Sequence, residues 1–425
     1  MTTSVSYSGL LRQNTAFRRL WYGQIVSELG DWFDSIALFS LLLRLTGSAQ
    51  AVAIVLVCQG VPQTLIGPFA GVVVDRLPRK TVMVAADLLR IPIVLLLLLV
   101  RSPDMVWLAY VAVFLKFSVT SFFEPARSAF VPSVVSEEEL VVANTLSGAT
   151  WSVMLALGAA LGGIVAGLLG SDASFILDAL SFLGSALIIM SIHAHESHTA
   201  LARTTSGWQE FREGLRFLND HRRAAVYTFS KAIWGMTSGI ALVCTLMGNE
   251  IFPIGVGGAI TIGLMYGARG VGAAIGPVIA ERIGNPSRSY LRRGLGPACL
   301  VGAAGYLGAS FAPILPLALL GIGCGAMGSS TQWVFSTTLV QVNVPNRLLG
   351  RIFSIENASF TLSFAMSSFL VGYAHDQGAA PRSLMMALAC VGAAVGLLFM
   401  ALLRTPDEAE TLADGMAGFV ADSDL

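Results

Sequence analysis

Residues Gly71 to Lys80 read GVVVDRLPRK, and Asp75, Arg76, Arg79 and Lys80 are the only dense charge cluster in the first hundred positions. Apolar runs flank the cluster, from about 48 to 74 and from 80 to 101. About 20 apolar residues in a helix cross the hydrocarbon core of a bilayer. A short charged turn between two such runs is a loop on one side of a membrane.

The rest of the chain follows the same pattern. Hydrophobic residues make up 55% and charged residues 12% of the 425, against roughly a quarter charged in soluble domains. Twelve apolar stretches of membrane length occur, at about 17–43, 48–74, 80–101, 104–130, 140–169, 172–192, 222–248, 254–280, 289–311, 314–341, 348–374 and 381–403. The first is long and carries acids, so it is not a cleaved signal. The expected fold is all-α, with twelve transmembrane helices. Formal net charge is zero, and nothing points to a nucleic-acid partner.

The five cysteines all fall inside apolar stretches with no repeated spacing, and read as small apolar fillers. His193, His195 and His198 lie where the sixth span runs into a polar linker, with no ligand set around them. No metal or cofactor is expected. No G-x-x-x-x-G-K-[ST] run occurs, so ATP is not expected as the drive. No His, Asp or Ser constellation suggests an enzyme.

Basic residues fix the expected orientation. Placing the N-terminus inside puts nineteen on the cytoplasmic side, including Arg12, Arg18, Arg19, Arg127, Arg282, Arg293 and Arg404. Three, Arg44, Arg101 and Arg382, fall outside. That asymmetry places both termini in the cytoplasm. The longest polar stretch, 193–221, separates a six-span bundle at 1–192 from a second at 222–404, and an acidic tail follows at 405–425. Within the linker, Ser206 and Gln209 have capping-box spacing, and Trp208, Phe211, Leu215 and Leu218 share a helical face. An amphipathic helix tethering the two bundles is expected. The halves read as a degenerate repeat: Pro132 and Pro345 each follow the fourth span of their half.

The spacing G-x-x-x-D-R-x-x-R-K resembles the loop between helices 2 and 3 of the major facilitator superfamily. The run SFFEPARSAFVPSVV, followed by Leu140 and the Ala143-Asn144 pair, is similar to the drug:proton antiporter branch that contains macrolide exporters and the enterobactin exporter. Phe17 to Trp21 with Ser27, Gly30 and Asp31, the run Asp178 to Phe182, and Gly350-Arg351 carry the same likeness, over about residues 14 to 404. The resemblance implies two pseudo-symmetric six-helix bundles, with a substrate site between them near mid-membrane. It implies a cytoplasmic gate of Gly71, Asp75, Arg76, Arg79, Lys80, Glu124 and Arg127, in which Asp75 docks against the start of the eleventh helix and Arg76 pairs with Glu124. In that family the fifth helix often carries a glycine-proline motif; here Ala159 stands in for the proline. The small residues Gly158 to Gly163 are expected to pack closely on the eighth span, against Gly272 and Gly276.

Charges inside a bilayer are costly and need a reason. The first span carries Glu28, Asp31 and Asp34, three residues apart and so on one face. Asp31 lies about fourteen residues into that helix, roughly 21 Å along it, near mid-membrane. These acids are the candidates for proton coupling, with Asp31 first. Lys116, Lys231 and Arg269 are the candidate bases opposite them, Lys231 being the expected partner of Asp31. Asp87 and Arg90 are spaced to pair with each other, whereas Asp178 and Glu356 have no evident partner by sequence. Trp32, Trp151, Trp234 and Trp333, with Phe33, are candidate cavity aromatics.

The expected function is secondary active export of a small amphipathic or hydrophobic molecule by proton antiport with alternating access. The expected place is the bacterial cytoplasmic membrane, and the expected state a monomer. A lysophospholipid-like cargo is the alternative within transport. A non-transporting sensor or a membrane enzyme is the alternative outside it.

Overall fold

A computed structural model describes residues 7–193, 207–284 and 287–404. Almost every described residue is helical, and no strand occurs among them. The helices run in chain order as α1 (Tyr7–Gln13), α2 (Thr15–Thr46), α3 (Ala49–Arg76), α4 (Arg79–Leu95), α5 (Val106–Phe130), α6 (Glu137–Val153), α7 (Ala159–Leu169), α8 (Ser171–Met190), α9 (Gly207–Asp220), α10 (Arg222–Gly235), α11 (Ile240–Glu250), α12 (Ala259–Ile283), α13 (Arg288–Phe311), α14 (Leu315–Asn343), α15 (Asn346–Asp376) and α16 (Pro381–Leu402). Lipid offers the backbone no hydrogen bonds, so helices that satisfy themselves are the expected spanning form. Among the described residues nine helical segments are long and apolar enough to cross a membrane. The helices α2, α14 and α15 are as long but carry more charge, or more Gly, Ser, Thr and Gln.

Two of the spans are interrupted. A π-helical turn, Met154–Gly158, joins α6 to α7. This widened turn stands where the resemblance expects a proline bend, and π turns break helical regularity in a similar way. The seventh span is not one helix: α10 ends at Gly235 and α11 begins at Ile240.

The chain forms two compact units. One comprises Met1–Thr204, Gly239–Val271 and Ala365–Leu384; the other comprises Thr205–Ser238, Gly272–Phe364 and Met385–Leu425. Three of the long helices, α12, α15 and α16, pass from one unit to the other. In the first unit Phe17, Leu20, Met83, Phe123, Phe130 and Ile189 form a buried apolar cluster. In the second, Tyr227, Leu295, Phe335, Ile352 and Phe399 do the same.

Small residues set the closest helix contacts, as expected where lipid removes the hydrophobic drive for helix association. The partners differ from the sequence expectation. Gly163 faces Gly263, and a Cβ on Gly163 would lie 2.5 Å from the Ala259 carbonyl oxygen. Gly162 faces α2 instead, with Phe33 Cα 3.0 Å from its Cβ position. Gly272 and Gly276 press instead on Gly323 and Met327 of α14. On α12, Gly263 and the pair Gly272 and Gly276 lie on different faces, which counting small residues along a helix does not resolve.

The linker helix exists as α9, and its packing departs from the expected face at Leu215. Leu218 is buried, whereas Leu215 is exposed. Gly214 sits against Ile355, and Glu213 pairs with Arg351 of α15. Close approach at Gly214 selects the 214/218 stripe. Ser206, His195, His198 and the tail lie outside the described residues, as do the side chains of Trp208, Gln209 and Phe211.

Candidate functional site

The first unit holds a buried ionic cluster built by α2, α4, α5 and α8. Lys116 Nζ lies 2.7 Å from Asp31 Oδ1, 2.7 Å from Asp34 Oδ2 and 2.9 Å from Asp178 Oδ2. Arg90 is bonded to Asp87 one turn earlier in α4 and lies 3.9 Å from Asp31 Oδ2. Its guanidinium stacks over Phe182 at 4.2 Å and Phe123 at 4.8 Å. Asp87 and Asp178 have no exposed side-chain surface, and Asp34 and Lys116 almost none, while the Asp31 side chain is 32% exposed. Asp31 is therefore the member through which the cluster meets its surroundings.

Gly30 makes this possible. A Cβ there would lie 2.0 Å from Ser181 Oγ and 2.4 Å from Asp178 Oδ1. Glycine lets α2 press on α8, and that contact carries Asp31 and Asp34 to the lysine shared with Asp178.

Several sequence expectations are corrected here. Asp31 finds its cation in Lys116, not Lys231. Asp178, expected to lack a partner, has Lys116. Glu356, likewise expected to lack one, has Lys231 at 3.1 Å. The Asp87–Arg90 pair occurs as expected, and is tied to Asp31. Asp178 escaped sequence reading because its partner is 62 positions away. The one signal available was an acid in an apolar span.

Glu28 is separate from the cluster. It accepts from Gln24 Nε2 at 2.8 Å; Gln24 Oε1 accepts from Arg127 at 3.1 Å, and Arg127 pairs with Glu124 at 2.8 Å. Glu124 is thus engaged with Arg127 in place of the expected Arg76, which is exposed. The spacing of 124 and 127 on one helix makes that pair local. Lys80 donates to the carbonyl oxygens of Met190 and Ile192 at 2.8 and 2.7 Å, and Arg19 donates to that of Ser191. Both close the C-terminal end of α8, a favourable place for a cation. Arg79 is half-buried, and the surroundings of Gly71 and the side chain of Asp75 lie outside what the structure describes.

In the same unit Trp32 packs against Gly158 and lies 5.9 Å from the Tyr266 ring, with Arg269 5.1 Å over that ring. Trp151 is 55% exposed. The second unit has its own polar centre. The Lys231–Glu356 pair is buried, and Lys231 Nζ lies 4.2 Å over Trp333. Trp234 stacks on Phe360 at 6.2 Å, and Trp333 meets Phe360 edge-on at 5.0 Å. No group of His, Cys, Asp and Glu among the described residues could hold a metal ion.

The family profile described as transmembrane secretion effector, of the major facilitator superfamily, matches residues 6–418. The chain belongs to that family. It is 26% identical over 371 residues to the putative bacilysin exporter BacE of Bacillus subtilis, covering 85% of this chain and 88% of that one. It is 23% identical over 366 residues to macrolide efflux protein A of Streptococcus pyogenes, covering 83% and 88%. The uncharacterized transporter YkuC of Bacillus subtilis is 26% identical over 236 residues, and the match spans 55% of its length. Among solved structures, the nucleoside transporter NupG superposes with a TM-score of 0.69 at 12% identity, covering 92% of this chain and 100% of that one. That likeness is one of fold. The protein is a multi-pass α-helical membrane transporter, not an enzyme.

Proposed function

We propose that this transporter exports a small amphipathic molecule from a bacterial cell in exchange for protons, and that the cluster around Lys116 stores the exchanged proton. One observation carries the reading: four carboxyl groups, Asp31, Asp34, Asp87 and Asp178, share two cations, Lys116 and Arg90. Away from water an uncompensated charge is expensive. The cluster approaches neutrality when two carboxyls hold protons, and Asp31 is the member that exchanges them. A shift of water access across Asp31 would load the proton from one side and release it to the other. Lys116 keeps its charge throughout and holds the remaining carboxylates in place.

The exporter names of BacE and macrolide efflux protein A support the direction. The partly exposed rings of Trp234, Trp333 and Phe360 beside Lys231–Glu356 suit an amphipathic cargo with an aromatic or apolar body. The two termini are placed in the cytoplasm, by the arginine distribution, and the working unit is taken as one chain.

The test is flux in proteoliposomes under an imposed pH gradient, with erythromycin and ethidium as cargoes. The wild type accumulates cargo against its gradient only when protons run the other way. Asp31→Asn retains binding and loses both uphill flux and its pH dependence. Energised, pH-dependent flux by that variant would remove Asp31 from the mechanism.

A further inference from the structure

Helix α3 starts at the membrane face where the arginine distribution puts the exterior, and its first amides need acceptors from outside the helix. Ser48, the N-cap, supplies a weak one, with its Oγ 3.4 Å from the Ala51 amide. The stronger acceptor comes from far along the chain. Asp376, the last residue of α15, accepts from the Ala49 amide at 2.8 Å, the Gln50 amide at 3.3 Å and the Ser48 hydroxyl. One turn earlier, Gly372 brings α15 onto α3: a Cβ there would lie 2.9 Å from Ala53 Cβ and 3.1 Å from Gln50 Cα. The neighbouring His375 reaches Glu250, at the end of α11, with Nε2 2.9 Å from Oε1. So the last turn of α15 ties the start of α3 to the end of α11.

Other contacts close the same seam between the first six spans and the second six. Ser40 Oγ lies 3.0 Å from the Val256 and Gly257 carbonyl oxygens, and Gly163 meets Gly263. All these residues lie within one compact unit.

We propose that Asp376 is the outer gate latch of the transport cycle, the counterpart of the loop at 71–80. It holds α15 on the start of α3 while the outer mouth is shut and releases it when the mouth opens. The inference rests on alternating access. Burial pushes the Asp376 carboxyl up, but the bonds from Ser48, Ala49 and Gln50 outweigh it and hold the group below its ordinary value. The latch is therefore charged at neutral pH and opens by movement of the helices, not by titration of Asp376.

Hydrogen–deuterium exchange of the full chain in lipid nanodiscs tests this. In Asp376→Asn, exchange should rise about tenfold, as for loss of one charge-assisted bond. The rise should appear at residues 49–51 and also at the far side of the seam, 240–247 and 256–263. Residues 79–95 should be unchanged. Ser48→Ala keeps the acid and the fold, and should give the same pattern more weakly. A change confined to 49–51 in both variants would mean a local helix cap and would overturn the latch. Asp75→Asn tests alternating access separately: it should increase protection at 240–247 and 256–263. If Asp376→Asn opens the seam while Asp75→Asn leaves it alone, the latch stands and the coupling between the two faces fails.

Discussion

Lys116 joins three carboxylates of the first unit, and two of them, Asp34 and Asp178, are buried. Removing one partner of a buried ionic group costs about 3–5 kcal/mol, because the charges left behind are uncompensated. Lys116→Met should therefore lower the melting temperature in detergent sharply. Adding Asp34→Asn and Asp178→Asn to that variant should recover most of the loss, since it removes the stranded charges. If the triple variant melts no higher than Lys116→Met, the charge argument is wrong and Lys116 acts through packing. Asp31 differs from its neighbours in being partly exposed. Asp31→Asn should thus leave the unfolding free energy within about 1 kcal/mol of wild type, as a partly solvated pair would, while removing pH-driven flux.

At the scale of elements, close contacts decide which charges can meet. Gly30 faces the Ser181 side chain and an Asp178 oxygen with no room for a methyl group. Gly30→Ala should force α2 and α8 apart and cost about 1–3 kcal/mol, as overpacking does. It should also loosen the bond from Lys116 to Asp34, so uphill flux should fall further than stability accounts for. Wild-type flux in Gly30→Ala would show that α2 can shift without loss of coupling.

The α15–α3 junction makes a prediction with a sign. Asp376 has a folded value held below its ordinary one, so its contribution is fully present above about pH 3.9, the ordinary carboxylate value. It fades as pH falls through the lower folded value. The melting-temperature gap between wild type and Asp376→Asn should be constant from pH 7 to 5 and shrink only in stronger acid. A gap that closes between pH 7 and 5 would show that Asp376 does not set the pH response of this junction.

For the whole molecule, transport direction should follow the proton gradient. Reversing the imposed gradient in proteoliposomes should reverse net movement of erythromycin, and collapsing it with an ionophore should leave only downhill movement. Flux that ignores the gradient, with a lipid-like cargo moved equally well, would favour the lysophospholipid reading. Antiport needs both cargo and proton sites to face one side at a time. The seventh span breaks between Gly235 and Ile240, and the unit boundary falls within that break, between Ser238 and Gly239.

Hydropathy and the charged loop at 71–80 were enough to read an all-α chain of membrane-length helices and a transporter family. These are properties of consecutive residues, and bilayer thickness and backbone hydrogen bonding translate them directly into spans. The pair Asp87–Arg90 was legible for the same reason, being one turn apart on a helix. The ion partners of Asp31, Asp178 and Glu356 were not, because each lies on a different helix and nothing local to an acid names the base it will meet. Gly163, Gly272 and Gly276 likewise announced close packing but not which neighbour, since a small residue permits contact from any helix that arrives. The cap on α3 was least visible of all. An aspartate at the end of one helix satisfies amides at the start of another, 327 positions away, and only tertiary structure brings the two ends together.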